Sequence, residues 1–309
     1  MDKTTKNKDI SYILFSTGDF GKLVFENLLK INFIPLLIVT STAKRKGRGL
    51  KLKDPEIKNL AEKNEIKVFQ TENLNEIVEK LKEFKPDFIV AVDYGKKIPD
   101  EILKIPKYVP LNIHPSLLPR WRGAAPIERA IMNGDKTIGI TIFIMNEKID
   151  QGEILTQIEI PITEGETKGE IEKKIAPICA EKLKETIIKF VKGEIKPKKQ
   201  VGKPIYAKKL SKEETWINLS KPAFLVARHI NALSPRPGAK IILNNKIQVK
   251  ILKAIPVNIN LKEGQIKIEK NRLFLGCKEG AIEILKIQPQ NKKIMSAKDF
   301  ICGYQRFLI

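Results

Sequence analysis

Apolar residues in the first half of the chain follow two patterns in turn. Short solid runs, "SYILFS", "PLLIVTS", "IKVFQ" and "DFIVAVDYG", are separated by "GKLVFENLLKI", "DPEIKNLAEKNE" and "LNEIVEKLKEF", in which apolar positions recur every three or four residues. Runs of the first kind predict strands buried on both faces, and stretches of the second predict amphipathic helices. The order predicts an α/β class: an open, Rossmann-like sheet covered by helices. A long helix over "KGEIEKKIAPICAEKLKETIIKFVKG" closes this half, so a first domain is expected over residues 1–192. "EIKPKKQVGKPIYAKKL" has no periodicity and reads as a basic linker, 193–209. After it come a helix, "PAFLVARHINALS", and the alternating segments "KIQVKILKAI", "GQIKIEK", "RLFLGCKEG" and "AIEILKIQPQ". These predict a small β-barrel of OB-like kind over residues 210–309.

A length of 309 residues suits two domains, and the apolar runs are too short to span a membrane. The first nine residues, "MDKTTKNKD", lack the apolar core of a secretory signal, so a cytoplasmic protein is expected, and a monomer. Cys179, Cys277 and Cys302 are odd in number and widely spaced, which argues against a disulfide framework and a zinc site. All three read as buried small hydrophobes, and no metal is expected. Net charge alters the picture more. Two thirds of the +21 excess lies in the last third of the chain, which makes a polyanion the leading partner and a Lys-rich solubilising surface the alternative.

"FSTGDFGKL" joins a strand to a helix, where a dinucleotide phosphate can sit. Gly18 and Gly21 do not complete G-x-G-x-x-G, and no acidic residue ends the second strand, so strand-to-helix packing is the expectation.

"LNIHPSLLPRWRGAAPI" carries different chemistry. Asn112 and His114, two apart on a predicted strand, share a face, and the strand delivers them to the crevice outside the carboxyl ends of the sheet. Asp150, in a turn before Gly152, is placed to reach His114. An amide donor, an imidazole and a carboxylate fit acyl transfer without a covalent enzyme intermediate: Asn112 donates to the oxyanion, His114 stabilises it and serves the leaving nitrogen, and Asp150 orients His114. Taken singly, the three also fit a hydrogen-bonded strand histidine, a turn asparagine and a capping aspartate.

The sequence "LNIHPSLLPRWRGAAPIERAI", followed by "NGDKTIGITIFIMNEKIDQGEIL", resembles the signature of folate-dependent formyltransferases. The resemblance implies that Asn112, His114 and Asp150 act on the formyl group of 10-formyltetrahydrofolate. It also implies that Asp93, Tyr94 and Gly95, with Ser116, Leu117, Leu118 and Pro119, form the folate site; the family commonly has Ala where this chain has Asp93. "TSTAKRKGRGLKL" resembles a basic insertion found in the branch whose amine is carried on initiator tRNA, and "KLSKEET", "INALSPRPGA" and "QPQNKKIMSAKDF" resemble the C-terminal domain of the same branch. That branch implies formyl transfer to the α-amino group of methionyl initiator tRNA, with Lys44, Arg45, Lys46 and Arg48 on tRNA phosphates. Two alternatives are a formyltransferase for a small amine or amino sugar, and a nucleic-acid-binding module on an inactive scaffold. The basic loop speaks against the first and the intact trio against the second.

Overall fold

The computed structural model describes residues 10–46, 51–244 and 246–308. The described residues form both strands and helices. In chain order they are β1 (Tyr12–Phe15), α1 (Asp19–Lys30), β2 (Leu37–Thr40), β3 (Lys44–Lys46), β4 (Lys51–Lys53), α2 (Glu56–Lys63), β5 (Lys67–Gln70), α3 (Val78–Glu83), β6 (Phe88–Ala91), α4 (Asp100–Leu103), β7 (Pro110–His114), β8 (Arg122–Gly123), α5 (Pro126–Asn133), β9 (Thr137–Ile144), β10 (Ile154–Pro161), α6 (Lys168–Val191) and β11 (Tyr206–Ala207). There follow α7 (Ala223–Ala232), β12 (Ala239–Leu243), β13 (Ile247–Val257), β14 (Ile266–Glu269), β15 (Arg272–Gly276), β16 (Ala281–Pro289), β17 (Met295–Ser296) and α8 (Ala297–Tyr304).

The main sheet runs β10-β9-β7-β6-β1-β2-β5. Pairings β7–β6, β6–β1, β1–β2 and β2–β5 are parallel, whereas β9 is antiparallel to β7. Every residue of β1, β2 and β6 is buried, as strands covered on both faces require, and their solid apolar runs follow from that. The chain winds outward from β1 through β2 to β5, then returns to the other side for β6 and β7. The switch point therefore lies between β1 and β6, where crevices open in such sheets. Helix α1 buries Phe20, Val24, Phe25 and Leu28, one stripe at helical spacing, and has Asp19 in its first turn and Lys30 in its last, as the helix dipole favours.

The chain divides into two compact units that interleave along the sequence. The first comprises residues 1–123, 139–160 and 172–206, and the second 124–138, 161–171 and 207–309. In the second, a sheet ordered β12-β13-β16-β15-β14 has β17 added to β16, and all the pairings between these strands are antiparallel. Its core gathers Val226 and Ile230 of α7, Ile251 of β13, Ile284 of β16 and Phe300 of α8. Burying such side chains stabilises by about 1.5–3 kcal/mol each.

Several local readings change. Strands β10 and β12 form where no strand was expected, and "KRK" and "KLK" make the hairpin β3–β4 inside the stretch read as a basic loop. Cys179 and Cys277 are buried, and desolvation raises both thiols, that of Cys277 to about 11. Cys302 is exposed, against expectation: α8 turns Ala297, Phe300 and Ile301 inward, which leaves the next position on the solvent side.

Candidate active site

Strand β7 ends at the carboxyl edge of the sheet, with Asn112 opposite Ala91 of β6 and Phe143 of β9, and His114 opposite Thr141 of β9. Asn112 is partly exposed and His114 is buried at 5% exposure, so the strand carries one side chain toward solvent contact and shields the other. The His114 Nε2 atom lies 2.8 Å from the carbonyl of Trp121. A carbonyl only accepts, so Nε2 carries the proton and donates it. The Nδ1 atom faces the Asp150 carboxylate at 3.9 Å, too far for a direct hydrogen bond and close enough for charge attraction or a bridging water.

Asp150 sits in a left-handed backbone conformation, φ 54°, which Asp tolerates better than most side chains. Its carboxylate accepts the Gly123 amide proton at 2.7 Å. Two residues on, a Cβ on Gly152 would lie 1.6 Å from the carbonyl oxygen of Ile144, so only glycine lets this turn close against β9. Gly139 serves the neighbouring loop in the same way, since a Cβ there would meet the Leu117 side chain at 2.4 Å.

The segment from Ser116 to Pro119 is held from several sides. Ser116 donates its hydroxyl to the Arg120 carbonyl at 2.7 Å, Thr141 donates to the Ser116 carbonyl at 2.6 Å, and the Leu118 amide donates back to the Thr141 hydroxyl at 3.2 Å. Gln157 of β10 donates to both the Leu118 carbonyl and the Thr141 hydroxyl at 3.0 Å. Ser116 and Leu118 are buried and Leu117 and Pro119 partly so.

At the switch point, Asp93 closes the N-terminus of α1. Its carboxylate accepts from the amides of Phe20 at 3.1 Å and Gly21 at 3.3 Å, and its carbonyl accepts from the amides of Thr17 and Gly18. A Cβ on Gly18 would fall 1.8 Å from that carboxylate, and one on Gly21 1.9 Å from the Ser16 hydroxyl. The two glycines thus serve packing, and a protein carboxylate stands where a phosphate would sit at a helix terminus. Tyr94 packs edge-on against Phe15, and its buried hydroxyl has no hydrogen-bond partner among the described residues. Desolvation, with the nearby Glu72 carboxylate adding to it, raises this phenol to about 12. Gly95 is exposed at φ 76°.

Of the tRNA-contact candidates, Arg48 lies outside the described residues. Lys44 and Arg45 are exposed on β3, with Lys44 opposite Lys53 and Lys46 opposite Lys51 on β4. Like charges across a ladder are destabilising, so this hairpin depends on its base. Glu72 accepts from the Thr42 amide at 3.1 Å, the Thr42 hydroxyl at 2.6 Å and the Lys96 ammonium at 2.7 Å, while Gln70 donates to the Ser41 carbonyl and to Asp54. Those bonds, the Lys96 one foremost, lower the Glu72 carboxyl to about 2. A depressed carboxyl holds its partners above its ordinary range and releases them as pH falls through the folded value. The Thr42 amide resonance is therefore expected to titrate with a midpoint near pH 2, read by NMR, and a midpoint in the ordinary carboxylate range would show that the anchor is not made.

Among the described residues no group of three or more His, Cys, Asp or Glu side chains is placed to hold a metal ion. One residue of the site escaped the sequence reading. Gln200, in the stretch read as linker, donates to the carbonyls of Asp150 and Gly152, both at 2.9 Å, and accepts from Arg122 at 3.1 and 2.7 Å. No periodicity marks it.

Comparison with known proteins bears on this arrangement. The model of the formyl transferase family matches residues 10–187, and that of the formyl transferase C-terminal domain matches residues 209–305. The chain belongs to the formyl transferase family. This formyltransferase is 40% identical, over 94% of its own length and 95% of the relative's, to the methionyl-tRNA formyltransferase of Thermodesulfovibrio yellowstonii. Two solved structures share its fold. The methionyl-tRNA formyltransferase from Clostridium thermocellum aligns over 89% of this chain and 99% of its own, with a TM-score of 0.56 at 18% identity. HypX from Aquifex aeolicus in complex with tetrahydrofolic acid aligns over 94% of this chain, with a TM-score of 0.66 at 19% identity. The formyltransferase spans about half the length of that protein, 46%.

Proposed function

We propose that this formyltransferase moves the formyl group of 10-formyltetrahydrofolate to the α-amino group of methionine esterified to initiator tRNA. What carries the reading is the convergence of Asn112, His114 and Asp150 at the carboxyl edge of the sheet, in a chain whose full-length relative has that activity in its name. The neutral amine attacks the formyl carbon, the carbonyl oxygen takes the charge, and the Asn112 amide donates to it. On substrate binding, the formyl oxygen replaces the Trp121 carbonyl as acceptor of the His114 Nε2 proton; such bonds are often tightened only in the reacting complex. Collapse of the intermediate breaks the bond to N10 of the folate. The attacking nitrogen loses one proton, through a water held by Asp150, and N10 gains one. Esterification lowers the basicity of the amine, so no strong base is needed.

Tyr94, Gly95 and the segment Ser116–Pro119 line the folate in this reading, and Asp93 fixes the helix beside it. The tRNA partner is supported by the net charge and by a hairpin whose facing cations a polyanion would relieve. Lys44, Arg45, Lys46 and Arg48 take phosphates, and the protein acts as a monomer in the cytoplasm. The domain reading, with a catalytic domain over residues 1–192, a basic linker over 193–209 and a tRNA-binding domain over 210–309, goes with it.

Steady-state formylation of four acceptors tests the substrate: methionyl initiator tRNA, methionyl elongator tRNA, free methionine ester and an amino sugar. The expected result is a kcat/KM for initiator tRNA above those of the other three, falling with added salt. Equal or better use of the small amines would reject tRNA as the acceptor.

A further inference from the structure

We propose that Gln200 is a positioning residue for formyl transfer, setting the spacing between the loop that holds His114 and the turn that carries Asp150. This rests on the reaction proposed above. A glutamine amide has two hydrogens and two lone pairs, and here all four are used. Both hydrogens go to the Asp150 turn, through the carbonyls of Asp150 and Gly152, and both lone pairs to the guanidinium of Arg122, through Nε and Nη2.

Arg122 lies between the two backbone groups that fix the trio. The residue before it, Trp121, supplies the carbonyl that holds the His114 ring, and the residue after it, Gly123, supplies the amide that holds the Asp150 carboxylate. Gln200 thus ties together the two segments whose separation determines the 3.9 Å gap between Nδ1 and the carboxylate. The backbone around Gln200 is held independently. Lys198 exchanges both backbone bonds with Ile154, at 2.7 and 2.9 Å, and Ile205 bonds to Arg122 at 2.9 Å and to Pro119 at 3.2 Å. Changing the side chain therefore removes the tie and leaves the segment seated.

No other side chain of similar size does the same. Ionised glutamate accepts from Arg122 and has no hydrogen for the two carbonyls; lysine donates and cannot accept; asparagine is one methylene short. Displacing catalytic groups by a fraction of an ångström to one ångström costs about 10- to 100-fold in rate.

The test uses the full-length protein with Gln200→Ala and Gln200→Glu, read by steady-state kinetics, by thermal melting and by the ring nitrogens of His114 in 15N NMR. Only one other histidine, His229, is present to assign. The expected result is a kcat lowered about 10- to 100-fold in both variants, KM for folate and tRNA within about twofold, and a shifted His114 Nδ1 resonance. Unchanged kcat with unchanged His114 resonances overturns the proposal, as does a loss confined to melting temperature or KM. Should the native protein transfer no formyl group at all, the reaction reading fails separately, and the His114 resonances alone decide whether Gln200 sets the ring's surroundings.

Discussion

Replacing His114 by alanine is expected to lower kcat for formyl transfer by about 100-fold or more while tRNA and folate bind nearly as before. Loss of one preorganised donor at a developing oxyanion costs about 10²–10³ in rate, and His114 is read both as such a donor and as the charged group facing the leaving nitrogen. The ring is buried, and its removal leaves the Trp121 carbonyl without the Nε2 proton, a loss of about 1–3 kcal/mol in stability that a folded domain tolerates. The effect should therefore appear in kcat and not in KM, since the interaction is strengthened in the transition state. Near-native kcat in a folded His114→Ala protein would remove the residue from the mechanism.

Asp150→Asn is expected to lower kcat by about 100-fold or more with the fold preserved, because it removes one negative charge and changes little else. Asparagine accepts the left-handed backbone that Asp150 adopts, and its amide oxygen can keep the Gly123 bond. The carboxylate oxygen that accepts the Gly123 amide is also the one facing His114 Nδ1 at 3.9 Å, so an asparagine that keeps this bond presents a neutral amide oxygen where a negative charge stood. The water that takes the proton from the attacking amine loses its acceptor as well. A variant that melts like the native protein and turns over at a similar rate would show that the charge of Asp150 is not used; a crystal structure or the Gly123 amide shift would establish that the turn is intact.

The parts of this molecule that could be read from the residues are those in which one strand or one helix carries the signal. Asn112 and His114 share a face because β7 is a strand of period two, and "FIVA" and "YILF" announce buried parallel strands without reference to any neighbour. Asp150 was legible because a turn before a glycine is local chemistry. What stayed hidden depends on a distant partner. Gln200 matters through Arg122, 78 positions away, and nothing within "KKQVG" distinguishes it from linker. The use of Asp93 in closing α1 is visible only once β6 lies beside β1. The strands β3 and β4 carry cations on both sides of the ladder, so alternation gave no hint of a hairpin; bonds from Gln70 and Glu72 supply the anchor that the sequence of the hairpin lacks. Residues 124–138 and 161–171 join the second compact unit although they lie among the strands of the first half, an assignment made by packing alone.

Direct formyl transfer at this site is tested by a single-turnover reaction of the native protein with 10-formyltetrahydrofolate labelled in the formyl carbon and methionyl initiator tRNA, quenched in time and resolved for labelled tRNA. The predicted result is stoichiometric transfer of label to the methionine α-amino group, with no labelled protein intermediate at any time and a rate at least about 100-fold lower in His114→Ala. Label that stays on folate, is released as free formate, or collects on the protein before reaching tRNA would contradict direct transfer at this site.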